Sequence, residues 1–417
     1  MKALIKNAII VDSDSPYHGS TKDVRIKDGT ITEIKDHLEK AHGETLIERD
    51  NLHISQGWFD SSVSMGQPGF EERETIDHGL RVAAASGFTA VALNPNTYPI
   101  IDTSSDVIFV KKMAEGHATS LFPIGALTRN SESIDLAELY DMQQSGAIAF
   151  GDYQKPIVNP NLLKIALQYT QGFNGLVLSF PQEQKIAGKG MVNEGEISTR
   201  VGLKGIPAIA ESLQVARDLH ILEYAGGRLH IPTVSTKESV ALIKQAKVKG
   251  LDVTCSVAIH NLYLKDEVIA DFDTRYKVLP PLRNQEHVDA LIEGVKDGTI
   301  DMVTSDHNPL DVERKHVEFD NAMYGAIAQE ATFKALLTIV SEKRAVTLLT
   351  AGRRRFIGSS NPIQENSLAN VTLFTTKGTS TFTQEHIKST SNNAIFLHQK
   401  MKGEVYGIIA NNQIVLN

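Results

Sequence analysis

Between residues 54 and 360 the chain alternates short apolar runs with longer amphipathic ones, and no other feature limits its fold as much. The apolar runs are Phe88 to Leu93, Leu121 to Leu127, Ala147 to Phe150, Gly175 to Leu178, Arg228 to Pro232, Asp252 to Val257 and Met302 to Ser305, preceded by one that ends in Asp60. Between them lie stretches of helical periodicity: Glu71 to Ser86, Ser105 to Glu115, Leu136 to Gln144, Ala208 to Ala225, Lys237 to Lys249 and Glu286 to Lys296. Short continuous apolar runs suit strands buried on both faces, and an intervening helix makes each connection a parallel crossover. About eight such strands predict a closed (β/α)8 barrel of the TIM type rather than an open sheet.

The chain ends have a different texture. Ala3 to Val11 reads as a strand, Asp23 to Lys35 as a hairpin turning at Asp28-Gly29, Ala369 to Thr375 as a strand, and Gly407 to Leu416 as a hairpin around Asn411-Asn412. Asp-Gly and Asn-Asn pairs suit the left-handed backbone of tight hairpin turns. The expectation is an α/β chain with a barrel over 54–360 and a small β domain composed of 1–53 and 361–417.

Charge and cysteine content narrow the function classes. A net charge of −8 argues against nucleic acid or an anionic membrane as partner. No run reaches the roughly 20 apolar residues of a membrane span, and the first apolar run is too short for a signal peptide. Cys255 is the single cysteine, so no disulfide can form within the chain, and its apolar surroundings predict a buried inert thiol. A cytoplasmic setting is expected.

In a barrel of this kind the chemistry sits where the strands end. After Asp60 come Ser62, Ser64 and Gly66; after Leu93 comes Asn94-Pro-Asn-Thr-Tyr-Pro99; after Phe150, Gly151-Asp-Tyr153; after Leu178, Ser179; after Pro232, Thr233; and after Ser305, Asp306-His307. Side chains at i and i+2 of a strand point the same way, so Ser62 and Ser64 share one face. Asn96 either presents its amide to a ligand or only shapes its turn. Of the histidines at strand ends, His230 reads as barrel packing and His307 as a residue that positions its loop. Arg353-Arg-Arg355 reads as a solvated basic turn in preference to a surface contact or an anion site.

These strand ends resemble those of the dihydroorotase family, of the type found in multifunctional or complex-forming chains, within the cyclic-amide amidohydrolases. The resemblance rests on Glu74-Thr-Ile76 with Ala83-Ala-Ala-Ser-Gly-Phe-Thr89, Pro95-Asn-Thr97, Val234-Ser-Thr-Lys-Glu-Ser-Val240, Pro280-Pro-Leu-Arg283, and Asp297-Gly-Thr-Ile-Asp301 followed by Ser305-Asp-His307. It implies a zinc site built from a His-x-His pair, a bridging carboxylate, two further histidines and a final Asp that shuttles the proton. Those positions fall on Ser62 and Ser64, on or beside Asp152, on Ser179 and Thr233, and on Asp306, so the four imidazoles are replaced and no zinc is expected. The substrate-carboxylate positions implied by the resemblance are Gly66 in place of an Arg, Asn96 as the retained Asn, with Tyr98 in place of an Arg beside it, Leu279 in place of an Asn, and Leu310 in place of a His.

The resemblance thus implies a degenerate member of the family: a scaffold without catalysis in pyrimidine biosynthesis, with aspartate transcarbamoylase as a possible partner and a homo-oligomeric state. The alternatives are a cyclic-amide hydrolase with a reduced or altered metal site, metal-free chemistry around Asp306, Asp152 and Asn96, and a sensor of an anionic metabolite.

Overall fold

In the computed structural model, which describes residues 1–417, the apolar runs form one parallel sheet. Its strands are β1 (Trp58–Val63), β2 (Phe88–Leu93), β3 (Ser120–Gly125), β4 (Ala149–Phe150), β5 (Leu176–Leu178), β6 (Arg228–Ile231), β7 (Val253–Ala258) and β8 (Met302–Thr304). They neighbour one another in sequence order, β1 to β8, as a (β/α)8 barrel requires. Phe59, Ala90, Ala92, Ile124, Ala149, Leu176, Leu178 and Met302 fill the interior, where Phe356 joins them from the helix Glu342–Ile357. Trp58, Phe88, Val91, Val177, Leu229, Cys255, Val257 and Val303 face outward into the larger core. Both faces of each strand are therefore dry, which is why the strands read as continuous apolar runs rather than as alternating ones.

The barrel closes through a side chain. β1 and β8 share no continuous ladder; a single parallel bridge joins Val63 to His307, with the Ser64 amide donating to the His307 carbonyl at 2.7 Å. Beneath it, the buried Asp60 carboxylate accepts hydrogen bonds from the Thr304 hydroxyl, from the Ser305 amide at 3.1 Å and from the Ser305 hydroxyl.

The second sheet takes strands from both chain ends: Lys2–Ile10, Thr21–Lys27, Thr30–Lys35, Thr45–Ile47 and His53–Gln56 from the first, and Val371–Thr381, Lys400–Ala410 and Gln413–Leu416 from the last. The two ends meet where Val371–Thr381 pairs antiparallel with His53–Gln56. Its hairpins turn at Asp28-Gly29 (φ 51° and 77°) and at Asn411-Asn412 (φ 48° and 56°), residues that tolerate this left-handed backbone. No helix is long and apolar enough to cross a membrane.

Three differences from the sequence reading have local causes. The first barrel helix spans Ile76–Ala85 instead of starting at Glu71, because residues before it fold back over Gly66: the Phe70 amide donates to the Gly66 carbonyl and the Gly66 amide to the Glu74 carbonyl, both at 2.8 Å. The helix Pro160–Thr170 was not anticipated, although Asn159 as N-cap and Pro160 in the first turn form a start signal. Arg353-Arg-Arg355 is not a turn; it occupies the end of the helix Glu342–Ile357.

If Asp60 is the clasp between first and last strands, Asp60→Ala leaves buried hydroxyl and amide donors without an acceptor. We expect a loss of about 3 kcal/mol or more in urea unfolding. A loss below about 1 kcal/mol would show that the single backbone bridge closes the barrel unaided.

Candidate functional site

At the strand ends, a cavity of only about 30 Å³ is lined by Ser61, Ser62, Asn94, Pro95, Asp152, Tyr153, Gln154, Phe180, Thr233 and Asp306, among others. A single water needs roughly 10–15 Å³ of such space, so the cavity has room for a water or two and not for a ring-sized molecule. Asp306 is its acidic centre. The backbone there has φ 47°, in the left-handed region, and is held by a hydrogen bond from its own amide to Thr304 Oγ1 at 3.2 Å. Asp306 Oδ1 accepts from Ser62 Oγ at 2.8 Å and from the Tyr153 hydroxyl at 3.2 Å. Burial pushes its pKa from 3.8 up to about 7, partly offset by these two donors and reinforced by the charge of Asp60. Burial, together with the Asp306 carboxylate, likewise raises the Tyr153 hydroxyl well above its usual range.

Asn94 links the serine pair. Its Nδ2 donates to Ser62 Oγ and Ser64 Oγ, each at 3.1 Å, so the two hydroxyls do face one point. A register shift between Asp60 and Val63 against β2 delivers them there. Gln154 Nε2 completes the cluster, donating to the Tyr153 hydroxyl at 3.1 Å and the Leu279 carbonyl at 2.9 Å.

The other positions singled out in the sequence lie apart from this cluster. Asp152 lines the cavity, yet its carboxylate is engaged at the end of β3 by the Leu127 amide (2.9 Å), the Thr128 amide (3.1 Å) and the Thr128 hydroxyl. It is therefore not the second carboxylate of an acidic pair with Asp306; the next residue, Tyr153, points inward instead. Ser179 turns its hydroxyl to the buried Asp218 of the helix Ala208–Ala225, at 2.6 Å. Thr233 lines the cavity with φ 48°, its amide donating to Ser256 Oγ at 3.2 Å.

At Gly66 a Cβ would lie 1.7 Å from the Phe70 carbonyl oxygen, so this loop excludes any side chain, including an arginine. Leu279 packs with Phe180, Ala187, Ile206 and Ala210. Leu310 is buried outside the cavity, its amide and carbonyl both bound by Ser391 Oγ at 3.2 and 2.5 Å. Asn96 does not line the cavity, and its buried Oδ1 has no hydrogen-bond partner; Tyr98 beside it is 72% exposed.

His230 is a packing residue. Its ring nitrogens meet Thr254 Oγ1 at 3.0 Å and Ser256 Oγ at 3.1 Å, and burial holds its pKa well below the usual histidine value. His307 positions its loop, its Nδ1 accepting from the Ala328 and Gln329 amides at 3.4 Å. Tyr153, Asn94 and Gln154 are the residues that sequence reasoning passed over. Their signal was position alone, since each follows a barrel strand.

A family model described as "Dihydro-orotase-like" matches residues 53–239. The dihydroorotase of Pelotomaculum thermopropionicum is 37% identical over 425 residues, covering 100% of this chain and 99% of that protein. That of Caldicellulosiruptor saccharolyticus is 38% identical over 423 residues, covering 99% and 98%. The chain belongs to the dihydroorotase family. Among solved structures, the L-hydantoinase (dihydropyrimidinase) of Arthrobacter aurescens superposes with a TM-score of 0.86 at 21% identity, covering 100% of this chain and 96% of that one, a likeness of fold.

The zinc that family resemblance implies does not fit the groups at this site. Neutral hydroxyls at Ser62, Ser64 and Thr233 would have to ionise to compete with imidazole, and Asp152 already holds β3. Nowhere in the chain do three His, Cys, Asp or Glu side chains converge as a metal site would need.

Two outcomes test this geometry. The folded protein keeps the Asp306 proton up to about pH 7, whereas the unfolded chain releases it near 3.8. The folded state thus binds more protons across that window, so Asp306 reduces stability as pH rises through it. Asp306→Asn should gain on wild type by up to about 1.4 kcal/mol per pH unit there and show no further gain above about pH 8, measured by denaturant unfolding. A pH-independent difference would show that Asp306 is not desolvated. Gly66→Ala should cost about 1–3 kcal/mol, because the Phe70 carbonyl must move; an unchanged unfolding midpoint would contradict the packed loop.

Proposed function

We propose that this member of the dihydroorotase family is non-catalytic and serves as a structural partner in pyrimidine biosynthesis. The observation that carries the reading is the filled strand-end cavity: Asp306 is bound by Ser62 and Tyr153, the serine pair by Asn94, and about 30 Å³ is left over. A ring-opening hydrolysis needs an activated water and a group to stabilise the developing oxyanion. Hydroxyls engaged by the Asp306 carboxylate and the Asn94 and Gln154 amides supply neither, and Gly66, Leu279 and Leu310 present no cation to a substrate carboxylate. The partner in this reading is an aspartate transcarbamoylase chain, in a cytoplasmic assembly in which the protein also pairs with itself; both rest on family resemblance.

A second reading has its own support. The full-length relatives at 37% and 38% identity are named dihydroorotases, and Asp306 and Asn96 stand at positions the family uses. On that reading the chain interconverts dihydroorotate and N-carbamoyl-aspartate through an altered metal site.

Purified protein decides between them. We expect no turnover of dihydroorotate or N-carbamoyl-aspartate, no stoichiometric zinc by elemental analysis, and co-elution with an aspartate transcarbamoylase chain from the same organism. Turnover that a chelator abolishes and zinc restores would overturn the non-catalytic reading. Inactive protein that fails to co-elute would leave catalysis excluded and the partner refuted.

A further inference from the structure

The three consecutive arginines at the end of the helix Glu342–Ile357 have three different fates. Arg354 Nη2 pairs with Asp14 at 2.7 Å. Arg355 pairs with Asp252 and donates to the Leu229 carbonyl at 3.0 Å. Arg353 faces a cavity of about 180 Å³ at the seam between the terminal sheet and the barrel, and its buried Nε and Nη1 have no acceptor. Leaving guanidinium nitrogens buried and unanswered is costly, and a built protein seldom tolerates it without a ligand or ion to complete the site.

The rest of the lining fits an anion. Asp12 is already engaged, accepting from Gln56 Nε2 at 2.7 Å, the Asp14 amide at 3.0 Å and the Ile363 amide at 2.8 Å. Asp14 is neutralised by Arg354. His18 Nδ1 accepts from the Asp12 amide at 3.2 Å, so its neutral ring carries the proton on Nε2, free to donate. Lys343 lines the same cavity, one face of the helix presenting Lys343, Val346, Thr347, Thr350 and Arg353 to it. With Asp14 matched by Arg354, the cations Arg353 and Lys343 outnumber the one remaining carboxylate, Asp12, and leave the lining a single positive charge in excess. The space is roughly ten times what one water requires. A water could accept a hydrogen bond from Arg353 but would leave its charge unmatched, whereas an oxyanion meets both needs.

We propose that this seam cavity binds a tetrahedral oxyanion, either inorganic phosphate or the phosphate of a small phosphomonoester, through Arg353. The site is separate from the strand-end cavity, so the proposal stands whether or not the chain is catalytic.

The test is a thermal-shift series on the full-length protein at constant ionic strength, with inorganic phosphate, glycerol phosphate and chloride. Phosphate should raise the midpoint by several degrees over chloride, and Arg353→Gln should abolish the rise while Asp306→Asn keeps it. A larger rise with glycerol phosphate than with inorganic phosphate would assign the site to a phosphomonoester, and the reverse to the free ion. No rise in wild type, or an equal rise in Arg353→Gln, would overturn the proposal. Should Arg353→Gln fail to fold, wild-type crystals soaked in selenate give the answer. An anomalous peak within hydrogen-bond distance of the Arg353 guanidinium supports the site, and its absence there refutes it.

Discussion

The Asp60 carboxylate determines how this barrel ends. A parallel barrel has to join its last strand to its first, residues more than 240 positions apart, with no local turn to fix their register. Asp60 does so with one acceptor group that gathers the Thr304 hydroxyl and both donors of Ser305. Because Ser62 lies just beyond Asp60 and Asp306 just beyond Ser305, the same clasp brings them together at 2.8 Å. The left-handed backbone of Asp306 is kept by this closure, since a non-glycine residue there is held only when its surroundings fix it.

A buried carboxylate needs either opposite charge or several hydrogen-bond donors nearby. Asp306 has the donors, from Ser62 and Tyr153, and they only partly offset its desolvation, which is why its pKa stays high. Hydroxyl and amide partners recur around the strand ends, joined at Asp218 by the Arg217 guanidinium at 2.8 Å. Ser179 answers Asp218, Thr128 answers Asp152, and Asn94 ties Ser62 to Ser64. Each pairing lowers the cost of a polar group in a dry place. The Ser61 Oγ, Asn96 Oδ1 and His307 Nε2 are left unanswered beside this cluster.

Much of the fold was legible because its signals are local. Phe88–Leu93 and Ala208–Ala225 are found with the bounds their sequence indicates, and both hairpins turn at the expected Asp28-Gly29 and Asn411-Asn412. What escaped was set by distant contacts. The strand ends named the right neighbourhood, but not that Asp152 would turn to β3 while Tyr153 turned inward, since the choice depends on which partners lie across the barrel. Gly66 looked like a lost side chain. The structure shows a loop whose Phe70 carbonyl fills the space, a fact carried by tertiary packing alone.

Two of the motifs that carry the family likeness turn out to be motifs of folding. Arg283, at the end of Pro280-Pro-Leu-Arg283, is buried and donates to Ser235 Oγ at 3.1 Å, Asn193 Oδ1 at 2.9 Å and the Ile206 carbonyl at 2.8 Å. Glu211 in turn accepts from the amides of Ser235 and Thr236, each at 2.9 Å, within Val234-Ser-Thr-Lys-Glu-Ser-Val240. This network holds the loop after β6 against its neighbours whether or not any reaction occurs in the barrel. Such a network belongs to the scaffold, because a charged group buried without its partners would destabilise the fold by several kcal/mol, on the order of 3–5 for a broken buried pair. Function belongs to the few side chains at the strand ends, and these can change while the network stays intact. A chain can therefore keep the family's architecture through Glu211 and Arg283 while Ser62, Tyr153 and Asp306 close its pocket.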